Sequence, residues 1–362
     1  MREENVGIVA RRRVRVATLM AVGLSAVAFG ACGSSDDEAS TGTAAQGSTS
    51  SGSAEASAAA LEGKRIAVVS CAGAQNPWCG AFNEDLTHGL EEGGARVTVL
   101  EDPQDPAVRA QHFNQALSLR PDLIVFTALD SDSSVPLFRR AEAAGIPVVN
   151  YNQRLEGEAA ELVTASVIWS DEELGQALAR NLVGGLEAAG YREANLLGIT
   201  GTASLPQTRD LVRGFESVMA RYPQYRTISI EDSNYDPNRA AELASQIFAQ
   251  ARARGGIQGV WANVDYIAAA AAGAAEQAGL RPGTRSGDLV VAAGACASAG
   301  VNAIRAGTQV GTGTKTPRQT AEAVTETVDR VLAGEDVEKV TVLAPDQVTA
   351  DNLDEFVELC SY

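Results

Sequence analysis

From Lys64 onward the chain alternates between two hydrophobic periods. Short β-branched runs such as Arg65-Ile-Ala-Val-Val-Ser70 pass through small-residue turns into longer stretches whose apolar positions recur every three or four residues. The short runs predict strands at 65–70, 96–100, 123–127, 147–151, 162–168, 196–200, 227–231, 259–262, 289–293 and 310–314. The longer stretches predict helices, among them 80–93, 106–119, 172–189, 210–221, 238–253 and 317–333. Strands that alternate with helices of this length form parallel sheets covered on both faces, an α/β class. In such open sheets ligands bind beyond the carboxyl ends of the strands. Roughly 300 residues in this alternating pattern are enough for two lobes.

The chain before Lys64 follows another pattern. Arg11, Arg12, Arg13 and Arg15 precede an apolar run from Val16 to Ala31, and Cys32-Gly-Ser-Ser-Asp-Asp-Glu follows it. That order is a secretory signal. The run of about sixteen residues is short for a spanning helix, which needs about twenty. Phe29-Gly-Ala-Cys32 resembles a bacterial lipobox, although Phe29 stands where an aliphatic residue is usual. The resemblance implies a signal peptide over 1–31 and lipidation of Cys32 as the new N-terminus. An ordinary signal peptide or a single membrane anchor is the alternative reading. Arg11-Arg12 leaves the general secretory and twin-arginine export routes both open. Residues 32–60 are rich in Ser, Gly, Ala and Thr and bury too little to order themselves, so they read as a tether spanning roughly 30 Å.

The net charge of −17 becomes −20 once five arginines and two glutamates leave with residues 1–31. Such an acidic exterior argues against nucleic acid as a partner. It equally disfavours docking to anionic lipid, so attachment would rest on the lipid at Cys32. Cys71, Cys79, Cys296 and Cys360 remain and allow two disulfides in three connectivities. Closeness in sequence favours Cys71 with Cys79, and Cys296 with Cys360 follows by elimination. His88 and His112 lie in helical stretches without a Cys or His cluster, so no metal or other cofactor is expected. There is no Gly-x-Ser-x-Gly elbow and no His-Glu-x-x-His, and Asp130 and Asp132 are not placed to flank a sugar from two sides. The chain does not read as an enzyme.

Three tryptophans, Trp78, Trp169 and Trp261, fall at or just beyond predicted strand ends. They suit either stacking on a sugar face or filling the core. Lys64–Ser70 with Asn76-Pro77-Trp78, then 121–132, 143–152, Ser170-Asp171 with Gly175, Gly201-Thr202 with Arg209 and Gly214-Phe215, and 260–265 resemble, in order, ribose-type periplasmic sugar-binding proteins. These are the type I solute receptors of ABC importers, and the resemblance runs from about residue 62 to 345. It implies two doubly wound lobes, 61–169 with 316–343 and 170–315 with 344–362, joined by three hinge crossings near 169–170, 314–315 and 343. A ligand clamped between lobes would drive their closure.

The resemblance also implies a site. Asn76, Trp78, Thr127, Asp130, Asn152, Arg209, Asp265 and Lys315 match ligand-binding positions, with Gln153 in place of an arginine and Val264 in place of an asparagine. Gly294 stands where a pocket aspartate is common, and Lys315 where the ribose type has a glutamine. Losing acidic acceptors and gaining a cation points to a sugar acid or sugar phosphate held by Lys315 and Arg209. The expected protein is a monomeric, lipid-anchored extracytoplasmic receptor that passes a sugar-like ligand to an ABC permease. The alternative is a receptor that signals to a membrane kinase or chemoreceptor. Cys32→Ala is expected to move the protein from the membrane fraction to the soluble fraction of the producing cell, and retention on the membrane would end the lipid-anchor reading.

Overall fold

Burial on two faces explains the unbroken apolar run of the first strand. In a parallel sheet with helices on both sides, successive side chains alternate between two cores and both must be apolar. The computed structural model describes residues 60–74 and 76–362; the expected export segment, Cys32 and all but the end of the expected tether lie outside the described residues. In β1 (Arg65–Cys71), Ile66 and Val68 join one core while Ala67 and Val69 join the other.

The first lobe holds a six-stranded sheet. Its strands are β1, β2 (Arg96–Asp102), β3 (Leu123–Phe126), β4 (Val148–Asn152), β5 (Ala165–Trp169) and β11 (Val340–Leu343), in the order β11-β5-β4-β3-β1-β2, all parallel. Helices α1 (Pro77–Glu92) and α10 (Pro317–Leu332) cover one face through Phe82, Leu86, Val324 and Val328. Helices α2 (Pro106–Ser118), α3 (Ser131–Ala143) and the short α4 (Gly157–Leu162) cover the other, where Phe113, Phe126 and Phe138 meet edge to face.

The second lobe has a parallel sheet in the order β7-β6-β8-β9, formed by β6 (Ala194–Thr200), β7 (Tyr225–Asp232), β8 (Gly259–Ala262) and β9 (Val290–Ala293). Helices α5 (Asp171–Ala188) and α6 (Pro206–Met219) pack on one face, and α7 (Pro237–Ala251) and α8 (Asp265–Gln277) on the other. Helix α9 (Ser298–Ala306) leads to β10 (Gly311–Gly313), which pairs antiparallel with β12 (Gln347–Thr349). The chain passes between lobes at Ser170, at 314–316 and at 344–346. Backbone hydrogen bonds lace these crossings: Ser170 donates to Leu343 at 2.9 Å and Thr314 to Asp346 at 2.9 Å.

Two helices begin earlier than the apolar period suggests. Helix α1 starts at Pro77 and α6 at Pro206, because proline is tolerated in the first turn, where its missing N–H is not needed. Trp78 is therefore a helical residue whose amide is capped by Asn76. Trp261 is fully buried and stacks on Phe215 at 4.2 Å, and Trp169 is buried with its Nε1 donating to Thr320. Both are core residues.

Gly175 and Gly214 mark a close crossing of α5 and α6. A Cβ on Gly175 would lie 2.0 Å from the carbonyl oxygen of Leu211, and one on Gly214 would lie 2.0 Å from that of Glu172. Asp265 is likewise structural and does not face the cleft. It is fully buried at the start of α8 and accepts from Ala297 N (2.7 Å), Gln309 Nε2 (2.7 Å) and Thr312 Oγ1 (3.2 Å). Burial pushes its pKa up to about 7, with those hydrogen bonds acting in the opposite direction.

Gly214→Ala is expected to lower stability by about 1–3 kcal/mol in urea unfolding, the usual cost of overpacking a tight contact. Because Asp265 binds its proton more tightly folded than unfolded, its contribution is full below about pH 4 and lost as pH rises to about 7. The stability of wild type relative to Asp265→Asn should therefore fall between pH 4 and 7 and level off above, as read by urea unfolding across that range.

Candidate functional site

Every parallel strand of the two sheets points its carboxyl end toward the region between the lobes, and the residues just past most of those ends line one cleft. Cys71 ends β1 and Asn76, Trp78 and Cys79 follow it, Thr127 follows β3, and Asn152 and Gln153 lie at the end of β4. From the other lobe come Gln207 and Thr208 after β6, Tyr235 after β7, Asn263 and Tyr266 after β8, and Ala295 and Ala297 after β9. Together they enclose a cavity of about 70 Å3 between the lobes.

Trp78 forms the aromatic wall of the first lobe. Its ring stacks on Phe82 at 5.3 Å, and Phe82 stacks on Tyr151 at 4.2 Å. The column ends at a 2.6 Å hydrogen bond between the Tyr151 and Ser70 hydroxyls. Trp78 Nε1 donates to the carbonyl of Lys315, 2.8 Å away in the second crossing. A disulfide joins Cys71 to Cys79 at the edge of this wall.

Opposite stands Tyr235, with a left-handed backbone (φ +60°). Its hydroxyl accepts from Gln207 Nε2 at 3.1 Å and Asn263 Nδ2 at 3.2 Å, and burial pushes its pKa up to about 12. The ring lies where a Cβ on Gly201 would sit 2.2 Å from it, so residue 201 must be glycine for the tyrosine to occupy this place.

The charges of the cleft cancel in pairs. Lys315 is buried, and its Nζ donates to Asp171 Oδ1 at 2.6 Å and Gln207 Oε1 at 2.8 Å. Burial still raises the pKa of Asp171, with Lys315 opposing it. Arg109 is held by the buried Asp102 carboxylate and also donates to the carbonyl of Thr127. Polar groups, by contrast, remain unpaired. Among the described residues, Asn152 Oδ1, Gln153 Oε1, Asn263 Oδ1 and Tyr266 OH are buried at the cleft without a hydrogen-bond partner. Buried polar atoms of this kind normally have one, each unmade bond costing about 1–3 kcal/mol.

Of the residues singled out in the sequence, Asn76, Trp78, Thr127, Asn152 and Lys315 come together in the cleft. Three others do not. Asp130 is the N-cap of α3, accepting from Ser133 N at 2.8 Å, and sits at an outer groove. Arg209 is exposed and donates to the carbonyl of Ser204 at 2.7 Å, since the helix turns about 100° per residue and it is Gln207, Thr208 and Leu211 that face the cleft. Asp265 faces inward, as described above. The cation hypothesis therefore loses Arg209 and finds Lys315 already matched by Asp171. Tyr235, Gln207 and Tyr266 are absent from the sequence reading and Asn263 enters it only within the stretch 260–265, although Tyr235, Asn263 and Tyr266 follow closely on strand ends. Among the described residues, no group of His, Cys, Asp and Glu could hold a metal ion.

Residues 66–336 match the model of the periplasmic binding protein domain. The ribose import binding protein RbsB of Escherichia coli (strain K12) is 24% identical over 263 residues, which is 73% of this chain and 83% of that protein. A galactofuranose binding protein has a similar structure, with a TM-score of 0.75 at 18% identity over 82% of this chain and 98% of its own. So does the periplasmic component of the arabinose ABC transporter from Shewanella sp. ANA-3, bound to α- and β-L-arabinofuranose, at a TM-score of 0.73 and 19% identity over 81% of this chain and 94% of its own. With two doubly wound lobes, three crossings and a family match over most of its length, the chain belongs to the type I periplasmic binding proteins, extracytoplasmic solute receptors and not enzymes.

Proposed function

We propose that this receptor binds a neutral sugar of monosaccharide size between its lobes and delivers it to an ABC importer from a lipid anchor at Cys32. The observation that carries the reading is that Asn152, Gln153, Asn263 and Tyr266 have polar atoms with no hydrogen-bond partner among the described residues, around a cleft whose charges are already matched. Three of them are amides. A ligand with several hydroxyls satisfies such groups without bringing charge, because each hydroxyl both donates and accepts. Trp78 and Tyr235 on facing walls add flat apolar surface suited to the C–H faces of a sugar ring.

A sugar acid fits less well. Its carboxylate would compete with Asp171 for Lys315, and displacing a partner of a buried ion pair is strongly unfavourable. The import role draws support from the similar chains, one an import binding protein and one a component of an ABC transporter. Among the described residues no helix is long and apolar enough to cross a membrane.

Thermal-shift and calorimetric titrations with neutral pentoses, hexoses and inositols beside uronic acids and sugar phosphates test the reading. A neutral sugar is expected to bind most tightly and to stabilise the protein by about 2.7 kcal/mol at a hundredfold excess over its Kd. Asn152→Ala should weaken that binding about tenfold, roughly 1.4 kcal/mol. Tightest binding by a sugar acid, lost in Lys315→Ala, would overturn the assignment to neutral ligands.

A further inference from the structure

The segment after β12 carries one residue whose place no local sequence signal announces. Cys360 is bonded to Cys296, 64 positions earlier, inside a small apolar cluster of the second lobe with Val301, Ile304, Val348 and Leu353. Two residues on, Tyr362 leaves that cluster. Its ring packs against the first-lobe core that contains Cys71, Trp78 and Cys79, while its hydroxyl donates to the carbonyl of Ala295 in the second lobe. It also lines the cleft, with Cys71, Trp78, Tyr266 and Ala295. Ala295 has a left-handed backbone (φ +63°), a conformation unfavourable for a residue with a Cβ. The bond from Tyr362 is part of what holds it there.

We propose that Tyr362 is a specificity-determining residue of the ligand cleft, delivered there by the Cys296–Cys360 disulfide and joined to both lobes at once. The proposal rests on the sugar-receptor reading for its ligand, but not for the bridge. Because the phenol proton goes to Ala295, the oxygen offers the cleft only its acceptor side. A fixed acceptor favours the sugar that places a hydroxyl opposite it, and discriminates against one that lacks it or points it away. The disulfide matters because the segment would otherwise have to be ordered by few contacts. Closing a loop of this length removes much of the freedom the segment would have in the unfolded chain.

Two measurements on wild type, Tyr362→Phe, Tyr362→Ala and the paired Cys296→Ser, Cys360→Ser variant test it. Calorimetry against D-ribose, L-arabinose, D-galactose, D-fucose and myo-inositol reads specificity. Tyr362→Phe keeps the ring and is expected to weaken the preferred sugar about tenfold while changing the others less, so that the order of preference narrows or shifts. Equal weakening of every sugar is what a merely structural role gives, and it would overturn the proposal. Hydrogen–deuterium exchange without ligand reads the bridge. In Tyr362→Ala and in the paired serine variant, exchange should rise in both 71–80 and 295–297, and unchanged exchange in 71–80 counts against it. Should wild type bind none of the five sugars, the neutral-sugar reading fails. The exchange result then decides for or against the bridge on which the assignment depends.

Discussion

The buried ion pair between Lys315 and Asp171 is the interaction around which this receptor is arranged. Asp171 opens α5 just after the first crossing, and Lys315 lies within the second. One bond therefore ties two of the three passages between lobes, and Gln207 draws α6 into the same contact. A pair of this kind adds little net stability, because desolvating two charges consumes most of their attraction. Its role is to specify: either charge left alone in the cleft would be costly, so the crossings are held where the two meet. The same pairing decides what the cleft offers a ligand, since a neutralised lysine presents a donor and no free charge.

Other contacts across the lobes agree with this arrangement. Arg154, after β4, makes a two-pronged salt bridge to Asp210 on α6, at 3.0 and 3.2 Å. Asp210, pulled to a lower pKa by Arg154 and Arg213 against the effect of burial, keeps its charge over the physiological range. The close approach of α5 and α6 at Gly175 and Gly214 then fixes Asp171 and Gln207 relative to each other, because those helices carry both side chains at their first turns. Packing between two helices thus positions polar groups of the cleft.

Much of the fold is legible in the sequence because its causes are local. Strands buried on both faces must be apolar without a break, and prolines after Asn76, Asp105, Asp236 and Thr316 mark helix starts once the proline is counted inside the helix. The cleft is legible as a location, since residues that follow strand ends line it. Individual roles are less so. Asp130 at a helix cap, Asp171 in an ion pair and Asp265 in a buried hydrogen-bond cluster are the same residue type just past a strand, and only their partners separate them. Arg209 and Gln207 differ by two positions on one helix and face different ways. Tyr235 depends on a left-handed turn and on Gly201 across from it, and Tyr362 on a disulfide whose partner is distant in sequence.

Trp78 belongs to two structures at once. Its face is a wall of the cleft, and its indole nitrogen grips the carbonyl of Lys315 in a passage between the lobes. Mutational drift at this position cannot alter the shape presented to a solute while leaving the mechanics of the hinge alone. The facing wall is joined to the same passage, since Tyr235 accepts from Gln207, which in turn accepts from Lys315.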